Sequence, residues 1–294
     1  MSFSGTLHSG REFTLRSFSK LNLSLLVYAI NKSGYHPICS VFQEVSLHDT
    51  LFIRVIDDKQ CILKCDDPAF PCDHRNLLVK VFESLKAYMD FGFMITVKKQ
   101  VPIGGGLGGG SSNAATFIRF LVRHCKLPYT PDQLIPFAKS FGADVPFFLD
   151  GGMQLVRGIG DRLRHIDPTE ARYFVLILPS LKISTKMVFN AYDVFNLPPK
   201  ASKTPKAIIQ YQLGDNMLRE TVFKLYPKLE SICQQFEQLG CPTIRLSGTG
   251  STLFFVVSSW QEAKNWELKL NKQVNNCTVI AVKPVPFRSQ TIAL

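Results

Sequence analysis

Apolar and polar positions alternate over the first 56 residues, broken by turn-forming stretches at NKSG (31–34) and at His48–Asp49. A period of two predicts strands, here β-hairpins or a meander. The period then lengthens. NLLVKVFESLKAYMDF places apolar residues at helical spacing, with Asn76 at its start, and FMITVKKQVP predicts a strand running into a glycine loop. A helix is predicted over SSNAATFIRFLVRHC and a shorter one over TPDQLIPFAKSFG, which carries a proline in its first turn. Further on come a buried strand (RYFVLILPS), a short helix (STKMVFNAY) and a long helical stretch with a proline-marked break (DNMLRETVFKLYPKLESICQQFEQLG). Two strands joined by GTG (TIRLSG and STLFFVV), a helix (AKNWELKLNKQ) and a last strand (NCTVIAVKPV) complete the pattern.

The second half therefore reads as helices against an antiparallel sheet, and the whole as α+β. No internal repeat appears. The stretch VRGIGDRLRHIDPTEA, with its glycines, charges and proline, predicts a boundary between two domains, placed at 1–163 and 164–294.

Composition narrows the class. The chain has 294 residues, 46% hydrophobic and 19% charged, which fits a soluble globular protein with room for two modest domains. No run approaches the roughly 18 apolar residues of a membrane span. The start, MSFSGTLHSGREFTLRSFSK, lacks the apolar core of a signal peptide. It bears Ser and Arg with a single acid, Glu12, as an organelle-targeting remnant does, but FTLRSFSKLNLSLLVY reads as a first strand, so a cytoplasmic location is expected. Eight cysteines are too sparse for a disulfide scaffold. Cys61, Cys65, Cys72 and His74 have one gap of zinc-site length, but the second pair is too close for the usual finger, and a reduced strand edge with a proline-rich turn is the plainer reading.

The formal charge of +11 points to polyanions. Nucleic-acid binders gather such charge in runs, whereas here it is scattered in small groups: Lys98–Lys99, Arg157/Arg162/Arg164 and Lys200/Lys203/Lys206. Scatter suits phosphate-bearing small molecules or a basic solvated surface.

Six glycines occupy the seven positions 104–110, directly before a predicted helix. Glycine is costly to order, and close helix–strand packing accounts for one or two of these, not six. Bare backbone lets N–H groups turn inward around an anion, and the helix start adds its positive end. A phosphate is the natural occupant. Gly104, Gly106 and Gly109 match the dinucleotide spacing, but the acidic residue about twenty positions on, Asp132, falls at a helix start, so that reading fails. No lysine precedes Ser111, so the P-loop reading fails as well. Valine at Gly106 or Gly109 is expected to block phosphate approach while leaving the fold intact.

The wording P-x-G-G-G-L-G-G-G-S-S-N-A-A closely resembles the phosphate loop of the superfamily named after galactokinase, homoserine kinase, mevalonate kinase and phosphomevalonate kinase (GHMP). Within it, the chain is most similar to the 4-diphosphocytidyl-2-C-methyl-D-erythritol kinases of non-mevalonate isoprenoid synthesis. SKLNLSLLVYAINKSGYHPICSVFQEVSLHDTL resembles that family's A-K-[IL]-N-L…D-G-Y-H…T-x-F-Q…D-T-L, FGADVPFFL its G-A-D-V-P-F-F, and RLSGTGSTLFFV the superfamily's S-G-[ST]-G loop. The order is right and nearly the whole chain is covered. Departures are Ser33 before G-Y-H, Pro37 and Ile38 after His36, and a poor match over 190–215. The resemblance implies a ribosomal-protein-S5-like N-terminal domain, a ferredoxin-like C-terminal α/β sandwich, and a site between them.

Asp144 is a lone carboxylate in an apolar run, either the N-cap of a turn or a functional charge. By resemblance it is the catalytic base. Lys20, alone in FSKLNLSLL, reads as a strand-edge cation; by resemblance it is the catalytic lysine. Asn22, two residues on, shares its strand face and is placed to position substrate. The resemblance assigns ATP to Pro102, Ile103, Gly104, Gly105, Gly106, Leu107, Gly108, Gly109, Gly110, Ser111 and Ser112, with Asn76 and Lys99 near the adenine. Aromatics such as Phe42 are more often core than site. The resemblance nevertheless sets Tyr35, His36, Phe42 and Phe189 around the cytidine end, with Thr185 also binding substrate, and Gly248, Thr249 and Gly250 suit the diphosphate side. ATP implies Mg²⁺, for which no dedicated carboxylate pair is seen and Ser112 is the one hydroxyl offered. The expected partners are ATP and a cytidine-diphosphate-linked polyol, with no nucleic acid or membrane, in a monomer or weak homodimer. The rivals are another GHMP-type kinase acting on mevalonate or a sugar and, in a different class, a nucleic-acid-binding module. A panel of acceptor alcohols separates the first, a salt-sensitive gel shift the second.

Overall fold

The computed structural model describes residues 7–32, 34–125, 127, 129–195 and 213–288. Ser33 and the lysine group at 200, 203 and 206 lie outside them.

Two long strands, β1 (Glu12–Val27) and β2 (Ile38–Ile56), form one antiparallel hairpin from Val27↔Ile38 to Glu12↔Arg54. The expected turn at His48–Asp49 does not exist. There β2 runs straight on, and only the register slips, from Phe18↔His48 to Ser19↔Val45. Asp49 is fully buried and hydrogen-bonded, so a residue type common in turns serves a different purpose here.

β1 follows one edge of β2. The other edge is shared by β5 (Met153–Gly158), pairing with Ile38–Gln43, and β4 (Gly92–Lys98), pairing with Thr50–Ile56. β3 (Cys61–Cys65) adds to β4 in parallel, and β6 (Arg162–His165) to β5. The expected division at 163/164 falls within β6.

Against this sheet lie α1 (Leu77–Leu85), α2 (Gly109–His124), α3 (Pro131–Lys139) and the short α4 (Phe147–Asp150). Asn76 caps α1, accepting from the Leu78 N–H. α2 starts two residues earlier than the sequence suggests, because Gly108 takes a left-handed conformation (φ 70°) and lets Gly109 and Gly110 enter the first turn.

The second sheet holds β7 (Tyr173–Pro179), β8 (Arg245–Leu246), β9 (Leu253–Val257) and β10 (Cys277–Val282), all antiparallel, in the order β10-β7-β9-β8. α5 (Thr185–Val194), α6 (Arg219–Leu225) and α7 (Pro227–Gln238) connect β7 to β8, and α8 (Trp260–Gln273) connects β9 to β10. This is the split β-α-β-β-α-β arrangement of a ferredoxin-like layer.

A core lies between the sheets, where Leu21, Val41, Val45 and Leu155 meet Phe174, Leu176 and Phe254. The Leu25 N–H bonds to the Asp215 carbonyl, and residues 283–285 return to pair with β2 (Ser46 N–H to Lys283 O, 2.9 Å). The two halves are thus packed on one another around β1 and β2, which carry the residues that follow. Among the described residues, no helix is long and apolar enough to cross a membrane.

Candidate active site

Lys20 and Asn22 alternate along β1 and so share one face. The Lys20 N–H donates to Leu107 O (3.0 Å), which ties the strand to the glycine loop. Its ammonium donates to Asn22 Oδ1 (2.5 Å), lies 4.6 Å from the centre of the Phe42 ring and stands 3.7 Å from Asp144 Oδ2. Burial pushes Lys20 below the ordinary lysine range, while Asp144 acts to raise it. Asp144 is one-third exposed, in the turn before α4. It does not cap that helix: the capping position is Pro146, with no side-chain bond.

Two glycine loops meet beside this pair. A Cβ built on Gly106 (φ +76°) would lie 2.4 Å from Ser247 O and 2.9 Å from Gly250 O, so only glycine permits the contact. Thr252 N–H donates to Gly105 O (3.2 Å), Ser247 Oγ to Gly106 O (3.2 Å), and Asn22 N–H to Ser247 Oγ (3.2 Å). A Cβ at Gly248 would be 3.1 Å from Asn22 Oδ1 and 3.7 Å from Lys20 Nζ. Loop, strand and second loop form one wall.

Within the phosphate loop, Pro102 and Ile103 are half-buried, Leu107 is core, and Gly104 and Gly110 are exposed with open space where a Cβ would go. Gly108 packs on the Phe148 ring, and Gly109 on Val101. Ser111 is half-buried; Ser112 is buried and accepts from Ser17 Oγ (2.8 Å).

Lys99 and Asn76 have their polar groups engaged. Lys99 Nζ pairs with Asp49 Oδ2 (2.5 Å), 5.8 Å from the Phe70 ring, and Asn76 Nδ2 donates to Pro71 O.

On the substrate side the aromatic residues separate. His36 stacks on Phe189 (5.5 Å, 25°) with Tyr192 edge-on, and its ring nitrogens reach Tyr28 O (2.8 Å) and Asp193 (3.0 Å). Thr185, at the start of α5, bonds Thr249 Oγ1 (3.0 Å). Tyr35 is 61% exposed. Phe42 corrects the sequence expectation: it is 2% exposed, edge-to-face with Phe147, and lies beneath the Lys20 ammonium. It supports the lysine and has no free face for a base.

Sequence reasoning missed Asp49, Asp193 and Asn216, whose Nδ2 donates to Gly248 O (2.6 Å). Asp49 was concealed by its resemblance to a turn signal, and the other two stand in ordinary helical and loop sequence.

Comparison with known proteins settles the family. The description "GHMP kinases N terminal domain" matches residues 76–152 and "GHMP kinases C terminal" residues 206–276. A 4-diphosphocytidyl-2-C-methyl-D-erythritol kinase of Desulfotalea psychrophila is 33% identical over 255 residues, 82% of this chain and 84% of that protein. The chain belongs to this family of GHMP kinases. The protein of the same name from Cutibacterium acnes is 30% identical over 283 residues, covering 90% of each. A solved 4-(cytidine 5'-diphospho)-2C-methyl-D-erythritol kinase superposes with a TM-score of 0.76 at 26% identity over 92% of this chain and 99% of that one. A homoserine kinase from Cytophaga hutchinsonii, at 18% identity, shares the fold (TM-score 0.67, 97% of this chain and 98% of that one). This kinase therefore has the two-domain α+β GHMP architecture, and it is an ATP-dependent phosphotransferase acting on an alcohol.

Proposed function

We propose that this kinase transfers the γ-phosphoryl group of ATP to the tertiary 2-hydroxyl of 4-diphosphocytidyl-2-C-methyl-D-erythritol, a step of non-mevalonate isoprenoid precursor synthesis. The observation that carries the reading is the Lys20–Asp144 pair set against both glycine loops.

In this reading the residues take the roles that the resemblance implies. The exposed backbone of Gly104 and Gly110 and the start of α2 offer N–H groups to the triphosphate. Asp144 accepts the hydroxyl proton as the alcohol oxygen forms its bond to the γ-phosphorus and the bond to the β–γ bridging oxygen breaks, releasing ADP. Lys20, 3.7 Å from Asp144, offsets charge on the transferred group. Asn22 and the Gly248–Gly250 loop flank the lysine on the alcohol's diphosphate side. Phe189 and Tyr35 take the base, next to His36. Asn76 and Lys99 border the adenine. Mg²⁺, if bound with the triphosphate, would supply charge neutralisation there. The described residues hold no group of three His, Cys, Asp or Glu for it, and the Ser112 hydroxyl is the oxygen this chain contributes.

In this reading residues 1–163 carry the nucleotide and the acid–base pair, and 164–294 bring the second loop and α5 over the alcohol. The reaction is proposed to take place in the cytoplasm. ADP release measured with each candidate alcohol tests the proposal. The cytidylylated methylerythritol should turn over, with mevalonate, homoserine and free methylerythritol phosphate nearly inert. Preference for mevalonate or a sugar would overturn the substrate and leave the kinase class.

A further inference from the structure

Asp49, on β2, is fully buried and accepts four hydrogen bonds. Oδ1 takes the backbone N–H groups of Gln100 and Val101, each at 2.9 Å. Oδ2 takes the Lys99 ammonium (2.5 Å) and Asn113 Nδ2 (3.2 Å). A carboxylate without solvent needs such partners, and here their positions matter as much as their number. Gln100 and Val101 form the stem entering the glycine loop, and Asn113 lies on α2, the stem leaving it. One side chain on a neighbouring strand therefore fastens both ends of a segment whose six glycines make it costly to order. Asp49 also aims a charge. It holds Lys99 Nζ 3.5 Å from the position of a Gly109 Cβ, at the first turn of α2, where N–H groups face an anion.

We propose that Asp49 is a positioning residue for the nucleotide: it ties the two stems of the glycine loop together and fixes Lys99, which borders the adenine in the proposed function, beside the start of α2. The proposal rests on the reading of that loop as the ATP site. Asn113 makes it testable while leaving the buried carboxylate in place with its other three donors. Asn113 Oδ1 is buried with no partner, so Asn113→Ala removes an unsatisfied atom and raises helix propensity while cutting the tie to Asp49.

The experiment is calorimetric titration of full-length protein with the ATP analogue AMP-PNP, together with thermal melts. Asp49→Asn should weaken AMP-PNP binding roughly tenfold or more, the scale of losing a charge-assisted hydrogen bond. Asn113→Ala should weaken it about threefold to tenfold on the same scale, with Tm unchanged or raised and the KM for the alcohol unaltered. A merely structural cluster would lower Tm and leave the affinity of the folded protein as it was. Wild-type affinity in Asn113→Ala overturns the proposal, and that variant decides alone should Asp49→Asn fail to fold. Failure of the wild-type protein to bind AMP-PNP would overturn the loop assignment itself, and this inference with it.

Discussion

Lys20 Nζ stands 3.7 Å from Asp144 Oδ2, joining the middle of β1 to the turn before α4. Burial depresses the lysine and the carboxylate counters it. Asp144→Asn keeps the shape and removes both the base and the counter-charge. Turnover should fall by roughly 10²–10⁴ while AMP-PNP still binds. The pH profile gives a second readout. A lysine with a lowered pKa loses its proton as pH rises through that lowered value, so activity that needs the ammonium should fade below the usual lysine range. Without Asp144 the opposing charge is gone, and the alkaline limb of the residual activity should move lower still. Near-normal turnover in Asp144→Asn would place the base elsewhere.

The contact between the glycine loops revises what a loop substitution tests. Valine at Gly106 meets Ser247 O and Gly250 O at contact-breaking range and is strained at φ +76°, so it pushes the loops apart as well as obstructing phosphate. The sequence-based expectation of an intact fold does not survive that geometry. Gly110 is the better probe: exposed, helical, with nothing within 4 Å of a new Cβ. Gly110→Val should keep a near wild-type Tm and lose at least about tenfold in AMP-PNP affinity, whereas Gly106→Val should lose both. Paired melts and titrations decide, and an unimpaired Gly110→Val would remove this part of the backbone from the phosphate site.

A buried acid within β2 predicts an unusual pH response. Glu44 is 2% exposed at its side chain and pairs with Arg288 (2.7 Å), the last residue described, while Arg119 and Asp150 lie close by. Burial raises Glu44, and Arg288 opposes the rise. Arg288→Met would leave a buried carboxylate without its main partner, at about 3–5 kcal/mol. In that variant the folded-state pKa climbs further above the unfolded value, so stability is present at low pH and lost as pH rises through it. Denaturant titrations should show the gap from wild type narrowing between pH 8 and pH 5; a gap independent of pH would mean that Glu44 stays charged.

Much of this was legible in the chain because period and composition act locally. Alternation gave β1 and β2, the 3.6-residue stripe gave α1 with Asn76 as its cap, and proline at 227 marked the break between α6 and α7. The glycine loop stood out from its composition, while the packing of Gly106 on the second loop and of Gly108 on Phe148 appears only in the fold. Lys20 and Asp144 stood out as charges in apolar runs. What stayed hidden depends on partners distant in sequence. Asp49 reads as a turn until Gln100, Val101 and Asn113 are folded around it, and Phe42, more often core than site by residue type, is placed under the Lys20 ammonium only by the fold. Asp193 has no local pattern at all; only the docking of α5 on the hairpin brings it to His36.

That docking yields the last prediction. Both His36 nitrogens face acceptors, Tyr28 O at 2.8 Å and the Asp193 carboxylate at 3.0 Å. With Phe189 stacked on the same ring, His36 fastens α5 to the tip of the hairpin. In the proposed reaction this is where the cytosine is recognised, and Asp193 fixes the ring that borders it. Asp193→Ala should raise the KM for the cytidylylated alcohol by about tenfold, the scale of one lost charge-assisted hydrogen bond, and leave the KM for ATP nearly unchanged. Asp193→Asn retains an oxygen acceptor for the ring N–H and should recover most of the loss. Tyr35→Ala, at an exposed position on the same tip, should also raise the alcohol KM alone, since a stacked base is worth about 1–3 kcal/mol. Steady-state kinetics with each substrate varied in turn check all three. Equal rises in both KM values for Asp193→Ala would show that the clasp supports the fold at large and not the recognition of the base.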